Sequence, residues 1–327
     1  MIWDQLFLVD GVLRPIWRFL IAVAMIVFAH LAVGVFLGIT FEALRMPPAH
    51  YLLWASCLVL VALLASFKIL TGFFEGKPLS SIGLAFCERW KSELAIGVFL
   101  GTAMILAVAA VEWGLGLARF TWNFNSAGQV SSGGAYFGLL FAVAATNEEL
   151  AFRGYPFQRL VDSFGPVAAV GTSSLFFGLV HLGNPSHTWL STCNTALVGV
   201  PLAVAYLRTR ALWLPIGLHF AWNFFQSYVL GLEVSGIQFS GTLLKSDVHG
   251  SLLLTGGNYG PEGGVLATGV IVVATLYLLT SRSIYTNDDR REPAHWTRGP
   301  APEDSGEAET LPVASTPSAK IDLRRAN

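Results

Sequence analysis

Charge is what this chain has least of. Of its 327 residues 13% are Asp, Glu, Lys or Arg, against roughly 25% in a soluble globular domain. Its hydrophobic share is 54% and its mean hydropathy +0.58. That balance excludes an ordinary soluble domain for most of the chain. The shortage is uneven, because Ser281 to Asn327 hold 15 of the 41 charged side chains, so the preceding body is more apolar than the average. Cysteine is also scarce. Cys57, Cys87 and Cys193 are scattered, which excludes a secreted disulfide scaffold. A net charge of −1 supplies no basic surface for nucleic acid. There is no Walker loop, dinucleotide fingerprint, HExxH motif or internal repeat.

Long apolar runs are what the chain does have. A bilayer core of about 30 Å takes about 20 helical residues, and eight runs approach that length: 17–40, 51–68, 93–117, 136–160, 166–183, 189–207, 211–230 and 264–280. They are continuously apolar with Gly and Ala interspersed, and do not alternate in short segments as barrel strands do. The expected fold is an all-α polytopic membrane bundle of about eight helices. The first run has Arg14 and Arg18 before or at its start and no small-residue cleavage site, so it is read as a membrane helix and not a signal peptide. Lys and Arg favour cytoplasmic loops. With the N-terminus inside, only Arg45, Arg119 and Lys245 fall outside, and Arg153 is intramembrane. Both termini are expected in the cytoplasm and the protein in the cell membrane.

Four regions follow: N-terminal helices with an interfacial connector at 69–92 (1–135), a polar-bearing helical core (136–230), an outer loop with the last helix (231–280), and a Pro-rich charged tail (281–327) whose composition cannot bury a core. The Gly- and Ser-rich stretch 231–263 is expected to be irregular, with the option of a lid. Gly97 and Gly101 have the GxxxG spacing of close helix contact. Glu112, near the end of its run, is expected to snorkel to the interface.

Ionisable groups inside apolar runs are the informative residues, since even a lenient scale charges about 2.5–3.5 kcal/mol for one at mid-bilayer. The fourth run contains Asn147-Glu148-Glu149-Leu-Ala-Phe-Arg153-Gly154. Glu149 and Arg153 are i and i+4, neighbours able to pair. Glu148 points about 100° away and must face a polar cavity, be protonated, or meet a group from another helix. Two later runs carry Phe177-x-x-x-His181 and His219-x-x-x-Asn223. At 1.5 Å rise per residue, Glu148, His181 and His219 lie about 18, 22 and 13 Å from the cytoplasmic end of their segments, levels that allow one cavity. A carboxylate, two imidazoles and an amide suit attack by water on a carbonyl. Glu148, helped by His181, would be general base, while His219 and Asn223 would donate to the oxyanion. Glu149, Arg153 and Phe177 would support the site. The bland reading of the acidic cluster is an interhelical ion staple, and that of His181 a hydrogen-bonded buried histidine. His187 and Asn184 are read as loop residues. His30, His50, His249 and His295 carry no signal.

Taken in order on successive apolar segments, Glu148-Glu149-x-x-x-Arg153, Phe177-x-x-x-His181 and His219-x-x-x-Asn223 resemble the three motifs of the CAAX-protease and bacteriocin-processing (CPBP, or ABI) family of intramembrane proteases. The likeness spans about residues 136–230. It implies a helical bundle, glutamate-dependent peptide hydrolysis with the first Glu as base, and an oxyanion site at the last His and Asn. No feature points to prenylated substrates, so the CAAX role is not carried over. The expected function is an intramembrane endopeptidase acting on membrane-associated peptides or proteins, with the lipid bilayer as its surroundings and no nucleic acid. The rival is a non-enzymatic immunity factor, scaffold or transporter using the same cluster for binding. The chemistry is read as free of cofactor and metal, because the histidines lie on different helices and Arg153 offsets the glutamate charge. Zinc held by His and Glu is the alternative.

Overall fold

Proline and glycine punctuate the apolar runs and decide where each helix begins and ends. The computed structural model describes residues 6–9, 11–46, 50–123 and 126–284. The tail expected to be unable to build a core lies, from residue 285 onward, outside the described residues. A small hairpin, β1 (Leu8–Val9) with β2 (Val12–Leu13), precedes α1 (Pro15–Leu44), where proline takes a first-turn position at which its missing N–H costs nothing. α2 (Tyr51–Leu70) runs into a π-turn at Thr71–Glu75, and the connector after it holds a 3₁₀ turn, Leu79–Ile82. After α3 (Trp90–Gly114) come β3 (Ala118–Trp122) and α4 (Ala127–Arg153), the latter capped by Ser126, whose hydroxyl accepts from the Gln129 N–H.

The fourth expected run is placed differently by the structure. α4 starts at Ala127 and stops at Arg153, because Gly154 leaves the helical region at φ −79°, ψ −135°. α5 (Tyr155–Val180) is itself two helices, broken at Gly165, whose φ of 80° and ψ of 169° no helix tolerates, just before Pro166. Its first half carries Gln158, Arg159 and Asp162, polarity that had been hidden at the end of an apolar run. α6 (Trp189–Thr209) begins with a reciprocal Thr188–Ser191 capping box. α7 (Trp213–Phe224) continues as a π-turn, Phe225–Val229. β4 (Leu244–Val248), a one-turn α8 (Leu252–Thr255) and α9 (Val265–Thr280) follow.

Among the described residues five helical stretches are long and apolar enough to cross a bilayer: Pro15–Leu44, Tyr51–Glu75, Trp90–Gly114, Ala127–Gly183 and Trp189–Thr209. At 12 and 16 residues, α7 and α9 fall short of a span by length, so eight separate crossings are not established. The outward face is apolar. Phe28, Phe99, Val167 and Trp189 are all mostly exposed, in patches a soluble monomer would hide. This is an all-α, multi-pass membrane bundle.

α3 and α7 form its tightest seam. A Cβ on Gly97 would fall 2.2 Å from the Leu214 carbonyl oxygen, one on Gly101 2.2 Å from that of Leu218, and one on Gly217 2.4 Å from that of Leu94. The GxxxG spacing therefore marks a real backbone contact, and it fixes the helix that carries His219. α7 also packs on α4, and α6 on α5 and α9. The apolar core between α3, α6, α7 and α9 includes Ile105, Leu202, Leu214 and Ile271.

Two expectations change. Residues 231–263 are not wholly irregular: β4 pairs antiparallel with β3, Ala118 opposite Val248 and Trp122 opposite Leu244. Glu112 does not snorkel. It is fully buried, and neither carboxyl oxygen has a hydrogen-bond partner among the described residues.

Candidate active site

α4 presents its polar groups on two faces, as the helical period dictates. Glu149 and Arg153, one turn apart, are fully buried and meet at 3.2 Å (Oε1 to Nη1). Arg153 also donates through Nη2 to the Gly199 carbonyl of α6 at 3.2 Å, and its guanidinium lies 4.5 Å from the Phe177 ring centroid. Removing one member of such a pair leaves a bare charge in the interior, at a cost of about 3–5 kcal/mol. Asn147 donates to the Ser56 carbonyl at 2.8 Å and so ties α4 to α2.

Glu148 turns the other way, and its side chain is 36% exposed. Its Oε2 faces Nε2 of His181 at 3.9 Å and Nε2 of His219 at 3.7 Å. Both imidazoles are held from behind. His181, at the C-terminal cap of α5, has Nδ1 2.6 Å from the Phe177 carbonyl, and His219 has Nδ1 2.9 Å from Glu149 Oε1. Those partners are acceptors, so each Nδ1 carries a proton, and each Nε2 is turned toward Glu148. Glu148 Oε2 has no hydrogen-bond partner among the described residues. Glu148 Oε2 and His181 Nε2 are two acceptors for the two protons of a water molecule. His219 can donate from Nε2 only when doubly protonated, with the two neighbouring glutamates as countercharge. Phe177 packs between the groups, 4.8 Å from the His181 ring and edge-on to His219 at 6.2 Å.

Glu148, Phe177, His181, His219 and Asn223 line one cavity of about 320 Å³. The structure thus brings together the four residues read as catalytic, with Phe177 beside them, while Glu149 and Arg153 lie behind the wall. Glu149 has a larger part than support of Arg153, since the same oxygen orients His219. The i, i+4 rule could not foresee that bond between helices 70 positions apart in sequence. Asn184, read as a loop residue, lines the cavity too, whereas His187 is exposed. Glu262, Trp222, Asn194, Thr195 and Ser235 also line it and were not foreseen. The one signal for Glu262 was a carboxylate within a Gly-rich, charge-poor stretch. Among the described residues no three His, Cys, Asp or Glu side chains form a set able to hold a metal ion, and no step is derived through one.

The site is thus a glutamate, two back-bonded histidines and an asparagine around one cavity of a multi-pass helical membrane protein. Residues 130–225, which hold all three motifs, match the Rce1-like family model, described as type II CAAX prenyl endopeptidase Rce1-like, and this is the CPBP/CAAX protease family. The match supports intramembrane endopeptidase activity. No curated protein and no solved structure matched the chain.

Proposed function

We propose that the protein is an intramembrane endopeptidase that hydrolyses peptide bonds of membrane-associated peptides or proteins with water activated by Glu148. The observation that carries this reading is the convergence of Glu148 Oε2 with the two histidine Nε2 atoms in one cavity, each ring back-bonded through Nδ1. Glu148 takes a proton from water as the water oxygen attacks the scissile carbonyl carbon. His181 holds the same water. The charge that develops on the carbonyl oxygen is met by His219, in its doubly protonated form, and by the Asn223 amide, a contribution of about 3 kcal/mol per donor. Collapse breaks the C–N bond, and the proton held by Glu148 passes to the leaving amine. Glu149 and Arg153 set the ring of His219 and do not touch the substrate.

In this reading the chemistry needs no metal, the protein sits in the cell membrane with both termini cytoplasmic, and lipid surrounds its apolar face. The test is cleavage of a quenched membrane-peptide library by the purified protein in detergent, with Glu148→Gln alongside and with and without a strong chelator. Cleavage lost in Glu148→Gln and indifferent to chelator is the expected result. Loss with chelator and recovery with zinc would overturn the metal-free part alone. Absence of cleavage by well-folded protein across the library would sink the enzyme reading and leave the non-enzymatic binding role.

A further inference from the structure

The cavity has a second carboxylate that the hydrolytic chemistry does not use. Glu262 lies in the 3₁₀ turn Pro261–Gly263 that leads into α9, beyond the end of the family match. Its position is built from both sides. Asn194 of α6 donates Nδ2 to the Glu262 carbonyl at 2.8 Å and to the Gly264 carbonyl at 2.9 Å, while its Oδ1 accepts from Thr268 at 2.7 Å. The Ser235 N–H donates to Glu262 Oε2 at 2.7 Å, and the side chains of Gln226 and Trp222 add further donors. Glu262 lines the cavity. These donors favour its anionic form, and burial outweighs them.

The countercharge is missing from that wall. Among the described residues no Lys or Arg lines the cavity, and the buried guanidinium of Arg153 is engaged by Glu149 and Gly199. Trp222 lines the cavity beside the carboxylate, and Tyr259, whose hydroxyl is 3.5 Å from Thr195 Oγ1, lies close enough to feel its charge. A desolvated carboxylate with an indole alongside is the pairing that selects an ammonium or guanidinium group over a neutral side chain.

We propose that Glu262 and Trp222 form a binding pocket for one cationic side chain, lysine or arginine, of the peptide that occupies the cavity. The identity of the ligand as a peptide substrate rests on the endopeptidase reading; the cation preference rests on the pocket. Burial pushes the Glu262 carboxyl up to about 7. The groups that face it are Trp222 and His219 on α7, Gln226 on the π-turn, Ser235 and Tyr259 in the loop. Below that value the carboxyl is neutral and above it charged, so preference for a cation grows as the pH rises.

The experiment uses the full chain carrying Glu148→Gln, which stops turnover, in detergent micelles. The probes are fluorescent apolar peptides with a single lysine moved one position at a time, each paired with its norleucine counterpart, and the reading is the lysine-to-norleucine affinity ratio. In one register the ratio should exceed unity and rise about ten-fold between about pH 6 and about pH 8. Adding Glu262→Gln should bring it close to one and flatten its pH dependence. No register with a lysine preference, or a preference and pH profile unchanged by Glu262→Gln, would overturn the proposal. The pH profile of the chain with Glu262 intact decides the matter if Glu262→Gln does not fold. Cleavage by the chain with Glu148 intact is followed in parallel. Lysine preference without cleavage would fail the endopeptidase reading and keep the pocket; cleavage without lysine preference would do the reverse.

Discussion

Two carboxylates in this protein gather donors in the same way and serve different ends. Glu149 takes Arg153 and His219 on Oε1 with no exposure at all. Glu75, in the π-turn after α2, takes Arg18 at 3.0 Å, Arg159 at 2.8 Å and the Tyr155 hydroxyl at 2.9 Å, also all on Oε1, with each charged side chain about a tenth exposed. In both, Oε2 is buried without a hydrogen-bond partner among the described residues. The Glu75 cluster joins α1, the connector and the first half of α5, and it touches nothing in the cavity. It is a staple between helix ends. The Glu149 cluster shares its oxygen with a ring whose other nitrogen faces Glu148, so its geometry reaches the chemistry. An ion pair near water can shift without consequence, whereas one in the dry interior holds a single arrangement, because any other strands a charge.

The largest effect should come from breaking the inner cluster. Arg153→Leu leaves Glu149 uncompensated and is expected to cost about 3–5 kcal/mol of stability, read as the unfolding midpoint in detergent, with cleavage lost as Glu149, which orients His219, loses its own anchor. A variant that unfolds like the wild type would erase the distinction between the clusters. Glu148→Gln sharpens it from the other side. Its side chain is open to the cavity, so the unfolding midpoint should stay near that of the wild type while the cleavage rate falls about 10²–10⁴-fold.

Smaller effects belong to the periphery. Glu75→Gln weakens charge-assisted hydrogen bonds near the membrane surface, and a loss of about 1–3 kcal/mol is expected, with kcat retained at temperatures where the variant is folded. A fall in kcat without a fall in stability would mean that the two clusters communicate. Glu262→Gln acts through the pH dependence of folding. The carboxyl binds its proton more tightly in the folded chain, so the wild type loses stability as pH rises from 4.5 to about 7 and stays lower above that window. The glutamine variant lacks that loss. Its unfolding midpoint should gain on the wild type as the pH rises through the window and match it below; the opposite slope would mean that Glu262 is stabilised as an anion in the fold.

Much of the site was legible along the chain because ionisable residues inside apolar helices are costly enough to stand out. Glu148, Glu149, Arg153, His181 and His219 were visible for that reason, and helical spacing paired Glu149 with Arg153. Glu262 was not visible, since a carboxylate in a Gly-rich loop is ordinary until the fold lays that loop against the cavity. Glu112 misled for the converse reason: a charge near a helix end reads as interfacial, and the fold buries it. The end of α4 was missed because Gly154 and the half-polar stretch after it continue an apolar run closely enough to conceal a break in backbone direction.

By itself the sequence determined that the body is helical and lies in a membrane, because apolar runs of that length have no other stable surroundings, and it determined which polar groups had to find partners within the bundle. Only the tertiary structure decided which partners those are. The Glu149–His219 bond, the approach of both Nε2 atoms to Glu148 and the place of Glu262 on the same cavity depend on helices distant in sequence. Backbone contacts at Gly97, Gly101 and Gly217 hold α7, which carries His219, against α3. Helical periodicity fixes neighbours within a helix, and it carries no information about register between two of them.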